Sequence, residues 1–179
     1  MKRQTFRLGD GRELAIRQAR PEDARAVVDY VEEVCGESNY LTFGPGEFGY
    51  TEEQETELLQ GYLQADNKLY LVAEIGDEIV GSLNFDGGRR TRMRHCGEFG
   101  MSVRRTEWRQ GIGGILLDVF IQWARDGGII KKISLRVRTD NPGAVELYRR
   151  RGFVLEGTHP REIFIEGVFY DLYSMGLLL

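Results

Sequence analysis

The chain has little of the residue types that build metal clusters and disulfide frameworks. Its 179 residues include two cysteines and two histidines. Cys35 and Cys96 are far apart and lack the spacing of metal ligands. We therefore expect no bound metal and two free thiols, which are typical of proteins in the reducing cytoplasm.

Long apolar runs and an excess of positive charge are also missing. No run approaches the roughly 20 residues that an α-helix needs to cross a bilayer, and the N-terminus lacks the apolar centre of a signal peptide. We expect no membrane association. Lys and Arg number 24 against 28 Asp and Glu, a formal net charge of −4. Because nucleic-acid binding usually needs a basic surface, we also expect no nucleic-acid partner.

Composition and periodicity predict one globular domain over residues 1–179. Hydrophobic residues make up 41% and charged residues 29% of the chain, as in ordinary soluble domains. The pattern predicts a mixed α/β fold with a central twisted mixed sheet of about seven strands and about four helices. The predicted strands are Glu13–Gln18, Leu69–Ile75, Glu78–Phe85, Cys96–Arg104, Lys132–Arg138, Phe153–Gly157, Glu162–Glu166 and Val168–Met175. The predicted helices run from Pro21 to about Gly36, from a cap at Thr51 to about Ala65, from the glycines at 111–114 to about Asp126, and over Pro142–Arg151.

A glycine-rich, basic turn follows the predicted strand Cys96–Arg104. Gly111, Gly113 and Gly114 allow a ligand to approach the main chain closely. The helix that begins there offers free N–H groups and the positive end of its dipole, and Arg104, Arg105 and Arg109 add positive charge. The turn therefore predicts an anion site suited to a pyrophosphate. The alternative is a packed strand-to-helix connection with solvated arginines.

The spacing of these glycines excludes two other phosphate-binding motifs. No Gly-Lys-Ser/Thr follows, so the turn is not a Walker loop. Leu116 stands where Gly-x-Gly-x-x-Gly needs its third glycine. Nucleotide hydrolysis and hydride transfer therefore have no support in the sequence.

A second segment places three side chains on one face of a short helix. Asn141, Ala144 and Tyr148 lie three and then four residues apart, which is the spacing of neighbours on a helix surface. A tyrosine in such a place is, by itself, more often a core aromatic whose hydroxyl reaches the surface. This helix face and the glycine turn, taken together, are more informative about function than either segment is by itself.

Together the two segments resemble the GCN5-related N-acetyltransferase (GNAT) superfamily. The family's turn, Gln/Arg-x-x-Gly-x-Gly/Ala, is matched at Gly111 and Gly113, and its Asn-x-x-Ala-x-x-Leu-Tyr-x-x-x-Gly-Phe is matched at every stated position from Asn141 to Phe153. The turn departs at its first position, where Trp108 replaces Gln or Arg. The resemblance implies the GNAT fold over nearly the whole chain, with the backbone rather than a side chain binding the ligand at the first position of the turn.

The resemblance implies direct transfer of an acetyl group from acetyl-CoA, the cosubstrate, to an amine. Tyr148 would be the general acid, since a phenol of pKa about 10 can donate to a departing thiolate whose thiol has a pKa of about 8.5. The strand Phe99–Val103 would pair with the pantetheine arm, and the turn would hold the pyrophosphate. The implied cofactor-binding residues are Met101, Ser102, Val103, Arg109, Gln110, Gly111, Ile112, Gly113, Gly114, Asn141, Ala144 and Tyr148.

Two interpretations stay open for Glu98, which lies near the start of the strand before the turn. Several members of the family carry a catalytic glutamate near this position, which makes Glu98 a candidate general base. Alternatively, it is a surface or ion-paired strand residue. His95, His159, Glu162 and Asp171 are further groups that could relay a proton or border the acceptor, and for them we favour an incidental or structural role.

The segment Glu37–Tyr50 is predicted to be an aromatic loop, and its part Tyr40–Tyr50 lies where members of the family commonly shape the acceptor site. We expect that role here because loops this long are uncommon without a function. Tyr40, Phe43 and Phe48 would enclose the amine; alternatively, Phe43 and Phe48 only anchor the loop to the core. Since no basic or extended docking segment is present, a small-molecule primary amine is preferred to a peptide or ribosomal-protein N-terminus. A non-catalytic acyl-CoA-binding module is the alternative from another class. The apolar segment Met175–Leu179 would allow a homodimer if it paired outward.

Overall fold

The computed structural model describes residues 1–179, with one eight-stranded sheet at its centre. The strands are β1 (Gln4–Arg7), β2 (Glu13–Gln18), β3 (Lys68–Ile75), β4 (Glu78–Gly87), β5 (Cys96–Val103), β6 (Lys132–Arg138), β7 (Val154–Ile165) and β8 (Val168–Leu178). The helices are α1 (Ala24–Glu37), α2 (Glu52–Gln64), α3 (Ile112–Gly127) and α4 (Pro142–Arg149). The strand order across the sheet is β1-β2-β3-β4-β5-β6-β8-β7.

The eight strands of the sheet differ from the predicted strands at the two edges of the sheet, and the strand at the N-terminal edge, β1, was not predicted. Strand β1 pairs with β2 in antiparallel register, but its short and mostly exposed sequence has no alternation of apolar residues. At the other edge, the predicted strands Phe153–Gly157 and Glu162–Glu166 form the single strand β7. Register shifts between Leu155 and Gly157 and between His159 and Ile163 interrupt its apolar pattern.

Local sequence signals account for the ends of the helices and hairpins. Thr51 caps α2 by accepting from the Gln54 N–H, while the Gln54 side chain accepts from the Thr51 N–H, as the capping-box pattern predicts. Gly128 ends α3 with a φ of 68°. Gly76 and the pair Glu166–Gly167 take positive φ angles in the two-residue turns of the β3–β4 and β7–β8 hairpins.

Helices cover both faces of the sheet. On one face, here called the α3 face, α3 and α4 form the larger hydrophobic cluster, in which Phe120 lies 5.1 Å from Phe85 between ring centres. On the other, the α1 face, α1 and α2 form a second cluster, in which Val27 and Leu59 pack with Val72. Successive side chains of a strand therefore contribute to opposite cores. No helix is long and apolar enough to span a membrane.

The sheet opens between β5 and β6, its one parallel pair. These strands are paired only from Cys96–Lys132 to Glu98–Ser134. Beyond that point β5 continues to pair with β4, and β6 continues to pair with β8. The two strands therefore part after Glu98 and Ser134 and leave an opening between their C-terminal halves.

The C-terminal segment Met175–Leu179 does not pair outward, contrary to the expectation from its apolar sequence. Strand β8 lies between β6 and β7, and Met175 is the register partner of both Leu135 and Leu155. The apolar character of this segment serves the core, where Met175 and Leu177 are buried. The edge strand on this side of the sheet is β7 instead, and β1 is the edge strand on the other side.

Candidate functional site

The edge of β5 that faces the opening carries backbone groups without a strand partner. The Gly88 N–H donates to the Cys96 carbonyl at 2.9 Å, and the Arg104 N–H donates to the Val80 carbonyl at 2.9 Å, so the even-numbered residues of β5 bond to β4. Because successive residues alternate in direction, the N–H and C=O groups of Met101 and Val103, which lie beyond the last pair Glu98–Ser134, point towards the opening. An extended ligand could pair with them as another strand would.

Of the three predicted residues in this strand, Ser102 lies apart from the opening. Its backbone belongs to the set that bonds to β4, and its side chain lies on the α1 face. There its hydroxyl is 2.9 Å from the Tyr30 hydroxyl and 3.3 Å from the Ser82 hydroxyl. The side chains of Met101 and Val103 pack on the α3 face with the core instead.

Trp108, the departure from the family's turn, closes the end of β5. Its indole N–H donates to the Val103 carbonyl at 2.7 Å. The Val103 carbonyl is therefore no longer available to a ligand in the opening. Met101 still has both its N–H and its C=O free on this edge. The tryptophan therefore has a structural contact in place of a polar side chain aimed at the ligand.

The glycine turn holds strained backbone at the start of α3. Arg109 has a φ of 64° and Gly111, the N-cap of α3, has a φ of 85°. The left-handed region costs a residue with a side chain roughly 1–2 kcal/mol, so the surrounding fold must hold Arg109 there. Arg109 is exposed and Gln110 is half-buried, while Ile112 anchors the turn in the core at 1% exposure.

The surrounding protein leaves room for a side chain at Gly113 but not at Gly114. A Cβ at Gly113 would meet Met101 and Leu147 at 3.5 and 3.7 Å, ordinary contact distances, so no protein atom excludes a side chain there. A Cβ at Gly114 would lie 2.6 Å from the Arg151 guanidinium. Arg151 also pairs with Asp118 at 2.7 Å and so ties the end of α4 to the first turns of α3. Arg151 was not among the residues predicted from the sequence.

On α4, Asn141 and Tyr148 are placed at the α3 face of the opening. The Asn141 side-chain oxygen accepts from the Ala144 N–H at 3.1 Å and caps the helix. The Tyr148 ring is buried against Phe99 and Phe153, with ring centres 5.8 Å from each. Burial raises the pKa of Tyr148 to about 12. No protein group hydrogen-bonds to its hydroxyl.

Glu98 lies on the α1 face, on the side of the sheet opposite Tyr148, since Phe99 beside it points into the α3 face. The Arg136 Nε donates to the Glu98 carboxylate at 3.1 Å, and the Arg136 Nη1 donates to Glu162 at 3.3 Å. The structure thus makes Glu98 an ion-paired residue beside the opening. Arg136 was not among the residues predicted from the sequence, although it occupies the polar position between two buried residues of β6.

The aromatic loop divides into an anchoring part and a part next to α4. The Phe43 and Phe48 rings stack at 5.7 Å and pack against the core of the α1 face. Tyr40 lies elsewhere: its hydroxyl donates to the Asp140 carbonyl at 3.4 Å, directly before Asn141. Of the three predicted acceptor residues, only Tyr40 is therefore brought next to the helix that carries Asn141 and Tyr148.

Arg138, which was also not among the residues predicted from the sequence, holds this part of the loop in place. It is 5% exposed and lies between the Tyr40 and Tyr170 rings, at 5.1 and 3.5 Å from their centres. Its guanidinium pairs with Asp140 at 2.6 Å and donates to the Asn39 carbonyl at 2.7 Å. One side chain therefore joins the loop, strand β8 and the start of α4.

A cleft of about 850 Å³ adjoins the α1 face between α2 and the end of β4. Tyr50, Tyr62, Lys68 and Asp86 are among its lining residues. The Tyr62 hydroxyl donates to Asp86 at 2.5 Å, and Asp86 is the register partner of Glu98 on the neighbouring strand. The cleft therefore extends to the strand position beside Glu98.

Comparison with known proteins identifies the fold. The crystal structure of an acetyltransferase of the GNAT family from Streptococcus pneumoniae superposes with a TM-score of 0.90 at 34% identity, over 93% of this chain and 99% of that one. A Salmonella typhimurium protein solved with its cofactor acetyl-CoA has a TM-score of 0.80 at 20% identity, over 93% of this chain and 94% of that one. At that identity the likeness shows the fold alone.

A curated relative and a family model extend the comparison to sequence. The L-amino acid N-acetyltransferase of Escherichia coli (strain K12) is 31% identical over 105 residues, which are 59% of this chain and 65% of the E. coli protein. The match thus spans less than two thirds of that relative's length. The model of the acetyltransferase (GNAT) family matches residues 36–153, which contain both the glycine turn and the Asn141–Phe153 segment. The chain therefore belongs to the acetyltransferase (GNAT) family.

Proposed function

We propose that the protein is an acetyl-CoA-dependent N-acetyltransferase that acts on a primary amine of a small molecule. The observation that carries the proposal is the opening between β5 and β6. Unpaired backbone groups line its β5 edge, Tyr148 lies at one face of the sheet, and Glu98 lies at the other. An acid can therefore reach a thioester in the opening from one face, and an amine can reach it from the other.

The residues around the opening fit coenzyme A. Met101 offers an N–H and a C=O in the direction of the missing strand, which suits the amides of a pantetheine arm. The turn Arg109–Gly111 and the N-terminus of α3 offer positive charge and free N–H groups to a pyrophosphate. The amide nitrogen of Asn141, which capping does not use, can donate to the pantetheine. Acetyl-CoA supplies the thioester.

Tyr148 is the proposed general acid. Since its pKa is about 12, the phenol stays protonated at neutral pH, and no protein group competes for its hydrogen. The amine nitrogen forms a bond to the acetyl carbonyl carbon, the carbon–sulfur bond breaks, and the sulfur takes the Tyr148 proton, which solvent then replaces. A neutral donor at this place stabilises the charge that develops on sulfur.

Glu98 is the proposed acceptor of the proton that the attacking ammonium must lose. Its half-exposed carboxylate lies one residue from Phe99, against which the Tyr148 ring packs. The bond from Arg136 holds the carboxylate beside the opening. If Glu98 serves only as half of this ion pair, water takes the proton instead.

The proposed acceptor is a small molecule because the α1 face is bordered on two sides. Tyr40 and the aromatic loop stand on one side, and the β7–β8 hairpin stands on the other through Tyr170. Phe43 and Phe48 support the loop from its core side. The name of the E. coli relative, an L-amino acid N-acetyltransferase, agrees with a small acceptor.

An acceptor screen tests the proposal. Purified protein is incubated with acetyl-CoA and panels of small amines, amino acids and short peptides, and free thiol is measured with a chromogenic disulfide. We expect thiol release in proportion to acetylated product for a small amine. Release only with peptides would favour the N-terminal acetyltransferase, and coenzyme binding without release for any amine would favour the non-catalytic module.

A further inference from the structure

Arg136 is the one arginine on the α1 face directly beside Glu98, and its guanidinium is only partly used. Its Nε bonds to Glu98 and its Nη1 bonds to Glu162, at 3.1 and 3.3 Å. A guanidinium has five N–H donors, and Nη2 makes no hydrogen bond to the protein. The side chain is 47% exposed, so the free side of the fork is open to a ligand.

The position of Arg136 places this free fork at the opening. Ser134 is the last residue of β6 that pairs with β5, and Arg136 follows two residues later on the same face of the strand. Its neighbours Leu135 and Val137 are buried in the α3 face, so the guanidinium stands on the acceptor side. A positive and a negative group, Arg136 and Glu98, therefore lie side by side where the amine must arrive.

We propose that Arg136 binds a carboxylate of the acceptor, so that the acceptors are amines that carry a carboxylate close to the nitrogen, the chemistry of an α-amino acid. The proposal rests on the proposed acetyltransferase function. An α-amino acid has an ammonium and a carboxylate separated by one carbon, which matches neighbouring carboxylate and guanidinium groups. The planar fork of arginine suits a carboxylate because it can donate two parallel hydrogen bonds.

Binding of such an acceptor exchanges one ion pair for two. The acceptor carboxylate pairs with the Arg136 guanidinium, and the acceptor ammonium pairs with Glu98. Glu98 thereby loses its contact with Arg136 and gains one with the nitrogen that it must deprotonate. An amine without a carboxylate leaves the Glu98–Arg136 pair intact. Arg136 thus links recognition of the acceptor to the availability of the base, and Glu162 competes with the acceptor for the same guanidinium.

The test compares wild type with Arg136→Met, Arg136→Lys and the control Arg25→Met, an exposed arginine of α1 paired only with Asp29. The acceptors are amino acids and their decarboxylated counterparts, such as phenylalanine and phenethylamine. We expect Arg136→Met to lower kcat/KM for the amino acid about 10- to 100-fold, the size of a lost charged hydrogen bond. Phenethylamine has no carboxylate, so the loss of kcat/KM should be at least about tenfold greater for the amino acid than for phenethylamine. For the amino acid, Arg136→Lys should fall between wild type and Arg136→Met.

Calorimetric titration of the amino acid into the protein with coenzyme A gives a second readout that does not need turnover. If the amino acid bound in a way that depended on Arg136 but no thiol were released with any amine, the carboxylate site would be upheld and the proposed acetyltransferase function would be overturned. Thiol release with equal losses for both acceptors, or no carboxylate-dependent binding, would overturn the role of Arg136. Glu162→Gln should lower the KM of the amino acid, since it removes the competing carboxylate; an unchanged or higher KM would contradict the exchange of ion pairs.

Discussion

Tyr148 combines a buried ring with a hydroxyl that no protein group engages. Aromatic contacts with Phe99 and Phe153 hold the ring, and burial raises the pKa of its phenol to about 12. The residue therefore cannot act as a base near neutral pH, but it can donate. Glu98, on the other face of the sheet, has the opposite character because it is half-exposed, charged and paired with Arg136. The two faces separate the proposed acid from the proposed base.

Replacing Tyr148 with Phe should lower kcat and leave the affinity for coenzyme A within about twofold. The ring keeps its packing, and only the donor to sulfur is lost, which for general acid catalysis is worth roughly 100- to 10,000-fold. Steady-state kinetics with calorimetry of coenzyme A binding measures both quantities. An unchanged kcat would assign the proton to water.

Glu98→Gln should change the pH–rate profile of kcat/KM and lower its plateau at least about tenfold, because the amide keeps the shape of the side chain but cannot take a proton. The profile is recorded from thiol release over the stable range of the protein. Arg25→Met, whose ion pair is exposed and on α1, serves as the matched loss of a charge pair. A profile that superposes on that of wild type would leave Glu98 with only its structural ion pair.

At the scale of elements, the geometry of the candidate site depends on contacts between segments that are distant in sequence. Arg151 joins α4 to α3, and Arg138 joins the aromatic loop to β8 and α4. The helix starts and the hairpin turns could be predicted from Thr51, Gly76 and Gly128, because their signals lie within a few residues. The contacts of Arg151 and Arg138 could not be predicted. The local sequence around a strand arginine is the same whether its side chain is solvated or packs between two tyrosines.

Arg138→Met should destabilise the protein by about 2 kcal/mol and raise the KM of the acceptor. The change leaves the Asn39 carbonyl without its donor and releases Tyr40 from the start of α4. Chemical denaturation and acceptor kinetics measure the two effects. Arg138→Lys keeps the charge but not the planar stacking, so it should recover only part of the loss; full recovery would show that charge alone matters.

At the scale of the whole molecule, the sheet separates two cores that differ in polarity. The core of the α3 face is apolar and carries Tyr148, whereas the core of the α1 face contains buried polar groups. Glu55 of α2 is 1% exposed, its Oε1 has no hydrogen-bond partner, and burial raises the pKa of its carboxyl to about 7. The nearby Tyr62 and Tyr70 phenols also have raised pKa values because they are buried.

This carboxyl should make the fold less stable as pH rises. The folded protein binds the Glu55 proton more tightly than the unfolded chain, whose pKa is near 4.5, so stability falls from about pH 4.5 and the loss is complete above about pH 7. Glu55→Gln cannot ionise, so its melting temperature relative to wild type should rise between pH 5 and pH 8. Thermal melts across that range measure the difference, and a constant difference would show that Glu55 does not titrate there.

The sequence by itself determined the family, the four helices, most of the strands and the two motif segments, because each signal lies within one turn, cap, strand or helix face. Asn141 and Tyr148 share a face by helical spacing alone, and the glycines mark the turn before α3. The tertiary structure alone decided that β5 and β6 part after Glu98 and that Ser102 points away from the opening. It also paired Glu98 with Arg136 and placed Met175–Leu179 inside the sheet. These outcomes depend on which strands become neighbours, and strand pairing joins residues whose separation along the chain carries no local signal.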